Sequence, residues 1–364
     1  MHMIFQNSHI SKDNKKQTLL NYLNLREIYI MRIALSGFTG KDSSILDQII
    51  KSLDESHIQT VMMNNSNQEI AKDVDLVLVP GGDRGILNYF HKITVDSAPV
   101  LGIYESNSTG FLAQIDVKGI DIIKDKLKFG NYDIREEERI AVNIDGKNVE
   151  PVLNDVAIFS NKSAILMEHF LRINNKDIWH DNSDGIIIAT PIGSTAYAMS
   201  AGGPIVLQNS HVFVAISVNS LDNTRRPLIV SSDSYIEISD ITSSHHCEVI
   251  LDGTFRIKIM DKLQCQKHEF PAKLVTLNNN YSATNIIEKK VKFAEDLLKM
   301  PPSAKLILKT LEYEGTMTQK DLINKTMLPE RTIRLSLSHL LNRGYVKKKI
   351  SLRDARQKIY ELKI

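Results

Sequence analysis

Two hydrophobic periods alternate along the first part of the chain. Short, β-branched apolar runs read as buried strands: Ile33-Ala34-Leu35, Leu76-Val77-Leu78-Val79 and Val100-Leu101-Gly102-Ile103. Between the first two, Ile45, Leu46, Ile49, Ile50 and Leu53 are spaced three and four apart, the period of an amphipathic helix. Strand, helix, strand, helix predicts a parallel sheet with a ligand site beyond the carboxyl ends of its strands. Gly81-Gly82-Asp83 comes directly after the second run and falls at such an end. It reads either as a plain turn or as a loop whose glycines admit phosphate to backbone N–H groups, with Asp83 projecting toward it.

The period changes to two in the middle third. Ile140 to Val152 alternates around Asp145-Gly146, a hairpin signal, and Asn154-Asp155 begins a further strand. Ile165 to Ile173 and Ile178 to His180 continue the β pattern. Asp184-Gly185 then leads into the apolar run Ile186 to Ala189, followed by Gly193-Ser194-Thr195-Ala196-Tyr197 and by Gly202-Gly203-Pro204. Small residues let a backbone approach a ligand, and the hydroxyls of Ser194 and Thr195 suit sugar or phosphate. The same residues also make an ordinary strand with a glycine-rich turn.

A third pattern begins at Pro301-Pro302. Leu306, Ile307 and Leu311 mark one helix that stops at Gly315. Thr318 with Asp321 caps a second, and Ile333, Leu337, Leu340 and Leu341 line a third that ends at Gly344. Two short strands close the chain, 345–349 and 358–362. This order resembles a winged helix-turn-helix of the transcription-regulator type. The resemblance implies that Arg331, Thr332, Arg334 and Ser338 face the major groove while Lys347, Lys348, Lys349 and Arg353 approach phosphates. A dimerisation or docking module of the same fold is the other reading. Charge favours DNA: from Pro301 onward 14 Lys and Arg stand against 6 Asp and Glu, a net of +8, whereas the first 300 residues carry 31 against 37, a net of −6.

The remaining composition narrows the class. A chain of 364 residues has room for two or three domains, and 42% hydrophobic with 24% charged residues is ordinary for globular protein. Two cysteines, Cys247 and Cys265, give neither a disulfide framework nor a paired metal motif. No apolar run approaches the 18 residues of a membrane span, and no signal-peptide core is present, so a cytoplasmic protein without a membrane partner is expected. Residues 1–30 are polar and unlike the apolar strand pattern that begins at Met31. Met31 is expected to be the working start, with the leader untranslated or a loose arm, and a docked helix is the alternative.

DGIIIATPIGSTAYAMSAGGP, residues 184–204, resembles the signature of the NAD kinase family. Asp83, the Asn154-Asp155 pair, Gly110-Phe111-Leu112, Arg226-Pro227-Leu228 and Asp252-Gly253 agree with it, so the resemblance covers residues 31 to 280. It implies an α/β N-terminal domain with a parallel sheet, then an all-β domain with NAD bound between them; the small α+β winged-helix domain comes last, at the C-terminus. The boundaries read as 31–135, 136–284, a linker over 285–300, and 301–364. The implied reaction moves a phosphoryl group to the adenosine 2′-hydroxyl of NAD, giving NADP, with Asp83 accepting the proton. Gly82, Asp83, Arg84, Asn154, Asp155, Asp184, Thr195, Ala196, Tyr197 and Ser200 are the implied NAD contacts, and Gly81, Gly82 and Gly85 the phosphate loop. The donor is ATP or polyphosphate. Because Asp83, Asp155 and Asp184 add negative charge to that of the phosphates, a divalent metal such as Mg²⁺ is expected, with no ligands assigned. A homodimer or homotetramer is expected. The chain departs from the family at Arg84 and Gly85 (for Gly-Thr), at Gly102-Ile103-Tyr104 (for Gly-Ile-Asn), at Asn182 (for Arg) and at Ile192 (for Thr or Ser). Two functions therefore stand side by side: an NAD kinase with an appended regulatory domain, or a DNA-binding regulator whose kinase-like body senses NAD(H) or NADP(H).

Overall fold

The apolar runs at the start of the chain form the middle of a seven-stranded sheet. The structure, a computed structural model, describes residues 30–38, 43–64, 67–104, 111–162, 165–277, 299–350 and 358–362, with single helical positions at 288, 291 and 295. The leader over residues 1–29 lies outside the described residues. The first elements are β1 (Arg32–Ser36), α1 (Ser43–Glu55), β2 (Gln59–Met63), α2 (Gln68–Lys72), β3 (Leu76–Pro80), α3 (Gly82–Lys92), β4 (Val100–Tyr104), β5 (Ile115–Asp116), α4 (Gly119–Lys128) and β6 (Asp133–Glu137). β1 to β4 pair in parallel, as the alternation predicted. Alternate side chains of each strand serve opposite faces. Ile33, Leu35, Leu76 and Leu78 pack with Ile49 and Leu53 of α1 and with Ile120, Ile123 and Leu127 of α4. Ala34, Val77, Val79 and Val100 pack with Ala71 of α2 and with Ile86, Tyr89 and Phe90 of α3. Helices on both faces explain why these strands are apolar throughout.

The period-two region builds two antiparallel sheets. Its strands are β7 (Ile140–Ile144), β8 (Lys147–Val152), β9 (Asp155–Ser160), β10 (Met167–Ile173), β11 (Lys176–Ser183), β12 (Gly185–Ala189), β13 (Val212–Val218), β14 (Leu228–Ser231), β15 (Ile236–Ser243), β16 (Cys247–Leu251), β17 (Phe255–Ile259) and β18 (Leu263–Lys267); a short helix, α5 (Tyr197–Ser200), comes after β12. One sheet runs β11-β10-β15-β18-β7-β8 and the other β14-β13-β12-β9-β16-β17. Inward residues such as Met167, Leu171, Ile236 and Leu263 of the first meet Val156, Ile158, Ile188, Phe213 and Val249 of the second. The two free cysteines, Cys247 and Cys265, belong to this core. The Asp145-Gly146 turn has positive φ at both residues, 51° and 83°, as a tight hairpin requires.

Two boundaries read from sequence are corrected here. β19 (Ala272–Thr276) falls within the stretch assigned to the β-rich domain, yet it pairs with β4 in parallel and with β6 antiparallel, so the chain returns to the first sheet. A strand of five residues, Ala-Lys-Leu-Val-Thr, carries no local mark of which sheet it joins. The stretch 285–300, expected to be a linker, is helical at its described positions Glu288, Val291, Glu295 and Lys299. Glu295 and Lys299 form an i,i+4 ion pair, a helix-favouring spacing.

The last described region consists of α6 (Pro302–Glu314), β20 (Met317–Thr318), α7 (Gln319–Thr326), α8 (Glu330–Asn342), β21 (Val346–Ile350) and β22 (Lys358–Leu362). The capping box of Thr318 and Asp321 is present, and Gly315 and Gly344 both take positive φ, 77° each. Ala304, Ile307, Leu322, Ile333, Leu337 and Leu340 make one core, with Met300 in it.

Candidate active site

A single apolar cluster draws four of the predicted segments together. Ile86 of α3, Leu112 and Ala113 after β4, Leu153 before β9 and Ile192 after β12 are buried in the same core. Each lies within a few residues of a candidate polar group: Asp83, the loop at 111, Asn154-Asp155 and Gly193. Packing thus places the first sheet's carboxyl ends beside one end of the β-rich half.

Asp83 lies in the first turn of α3. Gly81 and Gly82 before it have positive φ, 87° and 64°, and Gly81 caps the helix with no side-chain acceptor. Successive N–H groups at such a start form a concave anion-binding surface. The Asp83 carboxylate accepts N–H bonds from Phe111, Leu112 and Ala113 at Oδ1 (3.1, 2.8 and 3.0 Å). Its other oxygen, Oδ2, accepts among the described residues from Phe111 alone (2.9 Å).

Asp252 shapes the opposite wall. Its buried carboxylate accepts N–H bonds from Leu153 (2.9 Å), Asn154 (2.7 Å) and Asp155 (3.0 Å). On its other side the buried His91 of α3 brings Nε2 within 3.2 Å of Asp252 Oδ2. Asp155 is only 3% exposed. Burial first, then the Asp252 charge, push its carboxyl up to about 8, against one N–H bond from Tyr197 that favours the ionised form.

The glycine-rich stretch folds onto this wall. Thr190 donates to the carbonyls of Leu153 and Asn154, and its hydroxyl accepts the N–H of Gly193. A Cβ on Gly193 would lie 1.9 Å from the Asn154 carbonyl oxygen, so only glycine closes this turn. Ser194 is fully buried and bonded to Pro191 and Val206, which removes its hydroxyl from ligand contact and corrects that expectation. Thr195 and Ala196 are half-buried, and Ser200 is exposed. Tyr197 is 44% exposed with its ring 5.8 Å from that of Phe159, so it is not a core tyrosine.

Asp184 is the predicted contact that the fold does not bring to this cleft. It precedes β12 while Thr190 to Gly193 come after it, and five strand residues span about 17 Å. Its carboxylate accepts from Asn219 (2.8 Å) instead. The expected crowd of three carboxylates is therefore absent within one chain: Asp184 is remote, and Asp155 is buried. Sequence reasoning gave Asp252 no role and missed Thr190 and His91. Asp252-Gly253 carries a turn signal, but nothing local shows a carboxylate bonded to backbone about a hundred residues away.

Comparison with known proteins bears directly on this arrangement. The profile of the ATP-NAD kinase C-terminal domain matches residues 153–277, which include Asn154, Asp155, Gly193 and Asp252. An NAD kinase of Methanosarcina acetivorans is 32% identical over 211 residues, 57% of this chain and 75% of that relative. The chain belongs to the NAD kinase family. Another NAD kinase, of Thermoplasma acidophilum, is 28% identical and spans 69% of this chain and 93% of its own. Among solved structures, an NAD kinase from Archaeoglobus fulgidus in complex with ATP matches with TM-score 0.60 and 25% identity, covering 71% of this chain and 98% of that one. Yeast NADH kinase complexed with NADH shares the fold, with TM-score 0.62 and 19% identity over 70% of this chain and 86% of that one. The chain is thus a phosphotransferase of the NAD kinase type, with an α/β first half and a β-rich second half.

Two departures from the NAD kinase signature have structural reasons. Ile192 is 2% exposed and fills the cluster shared by both halves, where a hydroxyl would have no water. A Cβ at Gly85 would lie 1.9 Å from the Pro80 carbonyl oxygen, so glycine lets α3 sit close on the end of β3. Arg84 is exposed and Asn182 half-buried, and nothing in the structure explains either substitution.

The buried Asp155 carboxyl yields a stability prediction. Its pKa rises from 3.8 to about 8 on folding, so between those values the folded chain holds a proton that the unfolded chain has released. Stability from this group is complete below the unfolded value and is lost as pH rises through the folded one. Asp155→Asn should therefore flatten the fall in Tm between about pH 5 and pH 8. Melting curves that fall in parallel for both proteins would show the carboxyl already ionised.

Proposed function

We propose that the chain transfers the γ-phosphoryl group of ATP to the adenosine 2′-hydroxyl of NAD, with Asp83 accepting the hydroxyl proton at Oδ2. The observation that carries this reading is the unequal use of the Asp83 carboxylate: among the described residues three N–H groups reach Oδ1, and only one of them, that of Phe111, also reaches Oδ2. Oδ1 orients the side chain, and Oδ2 keeps lone-pair capacity for a substrate proton. The Gly81-Gly82 turn with the first N–H groups of α3 would hold donor phosphates, assisted by Arg84 and the close-packed Gly85. Asn154, Thr195, Ala196, Tyr197 and Ser200 would contact NAD, the Tyr197 ring by stacking. Phosphoryl transfer has a loose transition state, so these groups act by positioning and by charge.

Mg²⁺ fits as an ion that arrives with the donor. Among the described residues no cluster of three or more His, Cys, Asp or Glu could hold a metal, and Mg²⁺ commonly takes one or two carboxylates plus phosphate oxygens and water. When bound, it supplies charge neutralisation, and Asp83 is the predicted carboxylate in the cleft able to approach it. Asp184 would serve a nucleotide in this cleft only from a second copy of the chain, in keeping with a homodimer or homotetramer. Exposed Ile205 and Leu207, and exposed Ile229 on the edge strand β14, suit such packing. Two free cysteines are in keeping with the cytoplasm, and among the described residues no helix is long and apolar enough to cross a membrane. The sensor alternative finds no support in the comparisons.

Asp83→Asn tests the base. The amide oxygen can keep the Oδ1 bonds while the amide nitrogen accepts no proton. NADP formation should fall at least about 10²-fold, with NAD binding retained. Near-normal turnover by the variant would refute the role.

For the C-terminal region we propose a winged helix that binds DNA, with α8 as recognition helix and β21–β22 as wing. Arg331, Arg334 and Ser338 are exposed along α8 and Thr332 is half-buried. Arg334 pairs with Glu330 at 2.6 Å. In the wing, Lys347 and Lys349 both pair with Glu361, at 3.0 and 2.5 Å, whereas Lys348 lies exposed between them. Part of the charge expected of that lysine run is thus balanced internally. Arg353 lies outside the described residues. Titration of the full chain with duplex DNA at two salt concentrations tests this, with a log–log slope of about −0.9 expected per neutralised phosphate. Lys348→Ala should reduce the slope by about 1, and Arg331→Ala should relax sequence preference. Absence of binding at about 50 mM salt would favour a docking module.

A further inference from the structure

The chain crosses between its two halves twice, and one buried arginine holds both crossings. The first passes from β6 to β7 through Glu138 and Arg139, and the second from β18 to β19 through residues 268–271. Arg139 is 1% exposed. Its Nε donates to the Phe270 carbonyl (2.9 Å) and its Nη2 meets Nδ1 of His268 (3.2 Å), both on the second crossing. Its Nη1 donates to the carbonyls of Phe90 (3.0 Å) and Ile93 (2.8 Å), which end α3. The guanidinium lies 5.5 Å from the centre of the Phe90 ring.

This is a costly arrangement unless it fixes something. Among the described residues no carboxylate pairs with Arg139; its partners are carbonyls and a ring nitrogen. A buried cation without an anion stays in place through the carbonyls it satisfies and through the negative end of a helix. His268 Nδ1 lies 3.1 Å from the Phe270 N–H and 3.0 Å from the Phe270 carbonyl; in the tautomer protonated at Nε2 it accepts from the Phe270 N–H and from Arg139 Nη2. Burial and the Arg139 charge both lower the His268 pKa, which agrees with a neutral ring.

The helix so held is the one that carries Asp83. α3 has eleven residues, about 16 Å, with Asp83 in its first turn and the Arg139 bonds at its end. The last turn also carries His91, whose Nε2 is 3.2 Å from the Asp252 carboxylate that braces Leu153 to Asp155. α3 therefore touches the hinge and the opposite wall with the same turn. A small rotation of this rod about its last turn displaces Asp83, at its far end, the most.

We propose that Arg139 is a positioning residue for phosphoryl transfer: by pinning both interdomain crossings to the end of α3, it sets Asp83 against the Asn154-Asp155 wall. The inference rests on the proposed use of those two walls. A misplacement of about 1 Å in such a site costs up to about 10²-fold in rate.

Arg139→Lys in the full chain tests it. One ammonium keeps the charge and can cap the helix, but it cannot span from Phe90 and Ile93 to Phe270 and His268 as a fork does. Steady-state assays well below the Tm of each variant should show kcat lowered about tenfold or more, with KM for NAD and for ATP within about threefold of wild type. Arg139→Ala should regain part of its kcat when millimolar guanidinium is added. A residue serving stability alone would lower Tm and leave kcat at low temperature unchanged; that result, or a wild-type kcat in Arg139→Lys, overturns the proposal. Should Arg139→Lys fail to melt cooperatively, His268→Ala removes one of the two ties to the second crossing, leaves the Phe270 bond and the helix cap in place and decides by the same kcat criterion. Failure of the parent reading shows elsewhere, as retained activity in Asp83→Asn.

Discussion

Three backbone N–H groups converge on the Asp252 carboxylate, and the site is built outward from that convergence. A buried carboxylate must be satisfied, and here the residues 153–155 supply the donors in succession. Their backbone is thereby locked. The Asn154 carbonyl then lies where Thr190 can donate to it and where only a glycine at 193 can pass. The same charge acts on Asp155, whose buried carboxyl is pushed up to about 8. This wall of the cleft is consequently less anionic than its residues suggest, which suits an incoming phosphate.

The other wall is placed by packing. Ile86, Leu112, Leu153 and Ile192 come from both halves of the chain yet share one cluster, so the cleft is lined by segments with a common core. α3 links this cluster to the hinge at its far end through Arg139. An enzyme that works mainly by positioning needs such rigidity, because its catalytic groups do little covalent chemistry.

Much of this was legible in the residues, for identifiable reasons. The change from a helical to a two-residue period separated the α/β part from the sandwich, and Gly81-Gly82-Asp83 stood out because it comes directly after a buried strand. The spacing of Thr318 and Asp321 marked the start of α7. The misses share one cause. Asp252, Thr190, His91 and Arg139 act on atoms distant in the chain, mostly backbone, and backbone leaves no mark in a sequence. The boundary at 284 placed β19 with the β-rich domain, because its five residues, Ala-Lys-Leu-Val-Thr, suit either sheet. Asp184 was grouped with Asp83 and Asn154 by motif, and the length of β12 separates them. Lys347 and Lys349 looked free until β22 set Glu361 beside both.

If these two walls together phosphorylate NAD, one assay shows it without reference to any variant. The purified chain is incubated with NAD, ATP and Mg²⁺, and the product is followed with a dehydrogenase that accepts NADP alone. NADP should accumulate in proportion to enzyme, with the new phosphate on the adenosine 2′-oxygen. A chain that binds NAD but forms no NADP from ATP or polyphosphate would contradict the assignment.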